Sequence, residues 1–224
     1  AIGMSVEKIK LKHNSPEWLA FRRKGIGASD AAAVLGLSKW TTNVELWEEK
    51  VGLRQPKNLS YNEHVRYGTA AETPLVKLFA LQDADKYKVK VDKQTVYLKD
   101  GFQFASLDGE LTDISSGELG IYEGKTVDAS ASAVWENWKG KVPQQYYVQV
   151  LHQMLVTGRT FDVLNPEFRW KDENGEIATQ CKRVIIRISD PSVLDDMKYL
   201  DEKEREFWEC VKNKRRPPLL LPQI

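Results

Sequence analysis

The segment from Leu119 to Val127 constrains this chain more than any other. Leu119, Ile121, Tyr122, Thr126 and Val127 make it a β-branched and aromatic run that reads as a buried strand, yet it carries an acid and a lysine near its centre. Side chains alternate between the faces of a strand, so Glu123 and Lys125 share one side and Gly124 points to the other. An acid and a lysine therefore occupy one small space. Upstream, Asp108 ends an apolar run from Phe102 to Leu107, and Ser115-Ser116-Gly117 supplies turn chemistry that would make the two strands neighbours. Two carboxylates then converge beside one ammonium. Oxygen-only ligands suit Mg²⁺, or Mn²⁺ as a substitute, because such ions keep several waters and bind one or two carboxylates plus a substrate phosphate. Lys125 is placed to hold an attacking water or help deprotonate it.

Each of these features is ordinary by itself. Glu and Lys two apart on an exposed strand form a solvated pair, and Asp108-Gly109 reads equally well as a turn dipeptide. Glu72 could be a surface helix residue. Tyr146 and Gln149, at i and i+3 on one helical face, could simply pack in the core. Their joint occurrence in order along the chain carries the information.

The arrangement resembles the PD-(D/E)xK nuclease superfamily, and the flanking sequence is similar to the lambda-exonuclease-like (YqaJ) phage recombination exonucleases. Trp18-Leu19-Ala20-Phe21-Arg22 followed by Gly27-Ala28-Ser29-Asp30 resembles that family's N-terminal signature. Arg66 through Glu72 is similar to its G-x3-E helix, and Tyr146 through Gln149 to its Y-x2-Q helix. The elements follow in family order from Trp18 to Thr157. Gly124 is a departure, since these enzymes usually carry a larger apolar residue there, and glycine weakens a strand interior.

The resemblance implies a Mg²⁺-dependent exonuclease that digests one strand of linear double-stranded DNA in the 5′ to 3′ direction, releasing 5′-mononucleotides. It implies that Asp108, Glu123 and the Gly124 carbonyl hold metal, with Glu72 completing the site through a metal or its water. Lys125 would act on the nucleophile, and Gln149 would orient Lys125 or the scissile phosphate. Arg22 and Ser29 match positions that grip a terminal 5′-phosphate, where a guanidinium fork and a hydroxyl at a helix N-terminus favour a dianion. The implied partners are DNA ends, further copies of the chain in a ring, most simply a trimer, and a phage single-strand annealing protein. Two alternatives use the same residues: an endonuclease of the same superfamily, and a DNA-end-binding module without catalysis.

Bulk properties exclude more than they assign. With 33 basic and 32 acidic residues, overall charge argues for no particular partner, although Arg22-Arg23-Lys24, Lys139-Gly140-Lys141 and Lys212 through Arg216 are local basic clusters. Cys181 and Cys210 are the sole cysteines, which suits a reducing cytoplasm and excludes the four-cysteine iron-sulfur cluster of some related nucleases. No apolar stretch approaches the roughly 20 residues of a membrane span, and there is no signal-peptide core. The expected location is the cytoplasm, that of the host cell if the protein is phage-encoded. Ala1-Ile2-Gly3 reads as an expression remnant ahead of a single exonuclease domain over residues 4–224.

The expected fold is mixed α/β, a central mixed sheet flanked by helices in a restriction-endonuclease-like PD-(D/E)xK core. Ser29 is expected to cap a helix from Asp30 to Leu35, Thr42 and Glu45 to box one ended by Gly52, and Ser60 with Glu63 to open one reaching Ala80. Strands are expected at Lys88 to Leu98, Phe102 to Leu107 and Leu119 to Val127, then helices from Ser130 to Trp138 and Pro143 to Val156. Phe161 to Trp170 and Ile177 to Ile188 read as a hairpin, and Asp190-Pro191 opens a long helix with Val193, Met197, Leu200, Phe207 and Val211 on one stripe. The seven tryptophans are expected mostly in the core, with Trp135 and Trp138 able to line a DNA channel, and His152 is expected to be structural.

Overall fold

The computed structural model of the protein describes residues 6–221, so the Ala1-Ile2-Gly3 segment lies outside the described residues. A mixed sheet forms the centre, in the order β2 (Tyr87–Lys90), β5 (Gly109–Asp113), β6 (Leu119–Asp128), β7 (Phe161–Lys171) and β8 (Ile177–Cys181), with β9 (Val184–Arg187) also pairing with β7. Only β6 and β7 run parallel among these pairs. A crossover of helices α5 (Ser132–Trp138) and α6 (Gln144–Thr157) joins them, as parallel neighbours require. A second, antiparallel sheet orders β1 (Val6–Lys10), β3 (Thr95–Lys99) and β4 (Gln103–Ala105).

Four helices precede the central sheet: α1 (Pro16–Arg23), α2 (Ala28–Val34), α3 (Asn43–Val51) and α4 (Glu63–Gln82), and α7 (Pro191–Lys212) closes the chain. On one face of β6, Ile121 joins a core with Val150, Leu151 and Met154 of α6 and Leu200 of α7. On the other, Tyr122 packs with Val76 and Phe79 of α4 and with Phe161. The expected stripe of α7 is buried throughout, and Asp190 caps that helix by accepting the Ser192 N–H. None of the described helices is long and apolar enough to cross a membrane.

Several boundaries differ from expectation. The segment read as one strand from Lys88 to Leu98 is two strands in different sheets, because Asp92 Oδ1 accepts the N–H groups of Gln94 and Thr95 and turns the chain. Phe102 to Leu107 is likewise not the partner of β6. Its core, β4, pairs with β3, and the strand beside β6 is Gly109–Asp113. The Ser115-Ser116-Gly117 turn does join that pair, with Asp113 Oδ1 accepting from Ser115 and Ser116. Ser29 is not a cap: α2 begins at Ala28 after Gly27, whose N–H is accepted by Asp30 Oδ2 at 3.0 Å. The cap of α4 is Asn62 rather than Ser60, accepting from His64 and Val65. Thr42 caps α3 and Gly52 ends it in the left-handed conformation, as the sequence indicates. The hairpin after β7 breaks into β8 and β9 around Lys182 and Arg183.

Gly120 shows how tightly β6 and β7 are joined. A Cβ there would sit 2.2 Å from ring carbons of Phe161, its fully buried register partner. Gly120→Ala is therefore expected to destabilise the protein by about 1–3 kcal/mol through overpacking. Urea unfolding of the variant measures this directly.

Candidate active site

The register of β5 on β6 builds the acidic pair. Gly109 lies opposite Tyr122, so Asp108, just before β5, stands across from Glu123. Asp108 Oδ2 accepts the Gly124 N–H at 3.0 Å, fixing the carboxylate at the strand edge. Glu123 is buried, 3% exposed, and Asp108 half-buried. Burial pushes the Asp108 carboxyl up to about 7, with Glu72 and then Glu123 adding repulsion and Lys125 opposing it. Burial also raises Glu123, against the pull of Lys125. Glu72 reaches this field from α4, while its own carboxylate is 3.0 Å from Lys93 Nζ.

Lys125 leaves β6 on the same face as Glu123. Its Nζ donates to Gln149 Oε1 of α6 at 2.6 Å and lies 5.7 Å from the centre of the Tyr146 ring. The i, i+3 pair on α6 therefore grips the lysine from two sides. Gly124 does not loosen the strand, which keeps its pairing with β7 through residues 120–128.

A third acid, which the sequence reading passed over, lies behind the pair. Asp162 of β7 is fully buried, and neither its carboxylate oxygens nor Glu123 Oε1 has a hydrogen-bond partner. Burial and the neighbouring Glu123 hold the Asp162 carboxyl well above the ordinary carboxylate range. The available signal was a lone acid inside the apolar run Phe161-Asp162-Val163-Leu164.

Could these residues hold a metal? The donors are all oxygen, and a buried carboxylate oxygen is orphaned, which fits a hard divalent cation. Among the described residues no three His, Cys, Asp or Glu side chains cluster as a ready ligand set. A cation here would rest on Asp108, Glu123, a backbone carbonyl such as that of Gly124, and water, the ligand habit of Mg²⁺.

Arg22 and Ser29 come together at a separate corner. Arg22 Nη2 donates to Ser29 Oγ at 3.3 Å, and its guanidinium carbon lies 5.9 Å from the Trp18 ring centre. Beneath them a second unforeseen residue, Lys50 of α3, donates to the Arg22 carbonyl at 2.7 Å and to Asp30 Oδ2 at 3.0 Å. That ion pair is nearly enclosed, at 6% and 11% side-chain exposure. It ties the end of α1 to the start of α2.

Other readings sort cleanly. His152 is buried between Glu204 and the Phe104 carbonyl, a structural position. Burial opposes its charge, but Glu204 outweighs this and raises its pKa. Trp135 stacks on Phe168, and Trp138 on Tyr146, half-buried beside the site. Trp40 is the exception among the tryptophans, at 78% exposed.

The acid pair and the lysine thus lie where β5 meets β6, inside a mixed sheet, with the crossover helix α6 against the lysine. The model of the YqaJ-like viral recombinase domain matches residues 17–160, and the chain belongs to that family. It is 36% identical over 194 residues to the uncharacterized protein YqaJ of Bacillus subtilis (strain 168), covering 86% of this chain and 54% of that protein. The chain thus spans about half the length of the curated relative it matches. Its fold is similar to that of an alkaline exonuclease, LHK-Exo from Laribacter hongkongensis, with TM-score 0.59 and 21% identity over 90% of this chain and 97% of that one. The same exonuclease in complex with dAMP matches with TM-score 0.57 and 21% identity over the same shares, 90% and 97%. A phage related exonuclease from Haemophilus somnus 129PT matches with TM-score 0.54 and 14% identity, over 85% and 96%.

The raised Asp108 carboxyl makes a pH prediction. Below about pH 4 the group is protonated whether the chain is folded or not. As pH rises, the unfolded chain ionises Asp108 first, so the stability it contributes is lost as pH passes through about 7. In chelator, Asp108→Asn should match wild type near pH 4 and exceed its Tm by roughly 5 °C at pH 8. Saturating Mg²⁺ should close or reverse that gap by binding wild type alone. Thermal unfolding across pH, with and without Mg²⁺, measures both.

Proposed function

We propose that the protein is a Mg²⁺-dependent deoxyribonuclease, an exonuclease digesting one strand of linear double-stranded DNA from 5′ to 3′ and releasing 5′-mononucleotides. Its product would carry a 3′ overhang suited to single-strand annealing recombination. The observation that carries this reading is Lys125, held by Gln149 at 2.6 Å on the strand face it shares with Glu123. Structural relatives described as exonucleases, one of them with bound dAMP, add support. We read residues 4–224 as a single exonuclease domain.

Asp108, Glu123 and the Gly124 carbonyl would hold the cation, with Glu72 near enough to bind through water. When bound, divalent ions activate a water and stabilise the leaving oxygen in phosphodiester hydrolysis, and two together clamp both. Lys125 positions the attacking water and assists removal of its proton. Gln149 fixes the direction of the Lys125 ammonium. Arg22 and Ser29 would take the terminal 5′-phosphate, because a guanidinium and a hydroxyl already in contact need little ordering to receive it. In this reading copies of the chain close around the duplex as a ring, most simply a trimer, in the cytoplasm, and hand the overhang to a phage annealing protein.

An endonuclease would use the same acids but would also cut closed circular duplex. A DNA-end-binding module would cut neither. Incubation of linear and circular duplexes with Mg²⁺ or Mn²⁺ separates the three, and the proposal expects nucleotides from linear DNA alone. Lys125→Ala and Glu123→Gln should each reduce cleavage by about 100-fold or more while leaving duplex affinity within a few-fold. Lys125→Ala activity above about a tenth of wild type would overturn the assignment of the site.

The phosphate corner has its own test. Duplexes with 5′-phosphate ends should be digested about 10 to 100 times faster than those with 5′-hydroxyl ends, the effect of one or two charge-assisted hydrogen bonds. Arg22→Ala should erase the preference by slowing the phosphorylated substrate alone. Parallel loss on both ends would reduce Arg22 to a general phosphate contact.

A further inference from the structure

Trp40 and Tyr61 are 78% and 75% exposed, the two most exposed large aromatic side chains among the described residues. They lie on two loops, residues 37–42 and 52–62, that contain no acid and three basic side chains, Lys39, Lys57 and Arg54, the last of them paired with Glu48 of α3 at 2.9 Å. Every residue from 52 to 66 is exposed. A tryptophan left in water forgoes burial worth more than that of most side chains. Its backbone is pinned. Ser38 Oγ accepts the N–H groups of Trp40 and Thr41, each at 3.2 Å, and Lys57 Nζ donates to the Trp40 carbonyl at 3.1 Å.

The same surface continues into the phosphate corner. Arg23, next to Arg22, donates to Gln55 Oε1 at 2.9 Å, and Gln55 is two residues from Lys57. Arg23 thus meets an amide oxygen and Lys57 a backbone carbonyl, so neither contact neutralises a charge. Exposed aromatic faces beside Arg23 and Lys57, whose charges these contacts leave uncompensated, match one kind of ligand: an anionic backbone that presents flat bases. Inside a duplex the base faces are stacked on one another and unavailable. Unpaired nucleotides offer them.

We propose that the Trp40 and Tyr61 surface is a binding platform for unpaired nucleotides, with at least one base stacked on Trp40 and the flanking phosphates met by Lys39 and Lys57. The proposal rests on the DNA-end reading of the adjoining corner, since a processed end is where unpaired nucleotides arise. Its role would be to hold the single-stranded tail close to the duplex end being digested.

The test compares fluorescence anisotropy of a blunt duplex and of the same duplex with a ten-nucleotide 3′ oligothymidine tail, in chelator so that no cleavage occurs. Wild type should bind the tailed duplex about tenfold more tightly, the effect of one base stacked on an aromatic ring. Trp40→Ala should lose that excess and bind both duplexes alike, whereas Trp40→Phe should keep most of it. Equal affinity of wild type for the two duplexes, or an unchanged excess in Trp40→Ala, would overturn the proposal. A shift in sedimentation of Trp40→Ala with the tail excess intact would overturn it too, marking the face as a contact between copies of the chain. Digestion of linear duplex by wild type is run in parallel. Digestion without a Trp40-dependent tail preference sinks the platform alone, and a Trp40-dependent preference without digestion sinks the nuclease reading alone.

Discussion

The parallel pairing of β6 with β7, in register from Gly120 opposite Phe161 to Asp128 opposite Arg169, is the constraint on which the rest depends. It places Glu123 in the middle of a central strand, where water cannot reach it. An ionised carboxylate in such a place is costly unless it is paired. Here the Lys125 ammonium on the same strand face opposes that cost, while Asp162 behind it adds another buried carboxyl. Asp108, brought opposite by β5, adds a second carboxylate that burial and its neighbours drive to about 7. The result is a pocket with more acid than cation, a state that a divalent ion relieves. Chemistry and fold thus meet in a single strand pair.

The corner that holds Arg22 and Ser29 is set by close backbone approach rather than by the sheet centre. Ile26 exchanges hydrogen bonds with β4, its N–H to the Phe102 carbonyl at 2.7 Å and its carbonyl from the Phe104 N–H at 2.9 Å. That approach requires small neighbours: a Cβ at Gly25 would lie 2.3 Å from the Phe102 carbonyl oxygen, and one at Gly27 2.7 Å from the Phe104 ring. The enclosed Lys50 and Asp30 pair then locks α1 against α2. Breaking one partner of such a pair generally costs several kcal/mol, because the other charge is left buried. Helix α6 links this corner to the acids, since it packs on α2 and carries both Gln149 and the His152 that bridges to Glu204 of α7.

Much of this was legible in the sequence where the signal was local. Strand β6, the turn after β5, the Thr42 cap, the stripe of α7 and the shared face of Glu123 and Lys125 all follow from alternation, capping chemistry and helical spacing, whereas Gln149 beside Lys125 was implied by the family resemblance. What failed depended on partners distant in the chain. Val89, Val91, Thr95 and Tyr97 keep one alternating pattern across Asp92, and nothing local says that the two halves enter different sheets. Gly109–Asp113 reads as polar, and its half-buried pattern becomes intelligible only with β2 and β6 on either side. Lys50 looks like any basic residue in the last turn of a helix, and its enclosure is a tertiary fact. Asp162 could have been flagged, because an acid inside a fully apolar strand needs an explanation wherever it occurs.

Gly124 shows why a departure from a family pattern need not weaken a site. A strand glycine is loose when only its side-chain packing could have held it. In this chain the Gly124 N–H is fixed by Asp108, and its register with Asn165 is fixed by β7. On the far face the missing side chain leaves room for Tyr122, whose hydroxyl oxygen would lie 3.2 Å from a Cβ at position 124. That hydroxyl accepts from Asn165 Nδ2 at 3.0 Å, and burial pushes its pKa up to about 12, so it stays neutral in the packed interior. A larger residue at 124 would have to displace this contact to gain its own. The stiffness of the strand beside Asp108 therefore comes from backbone register and from Tyr122, leaving position 124 free to be a glycine.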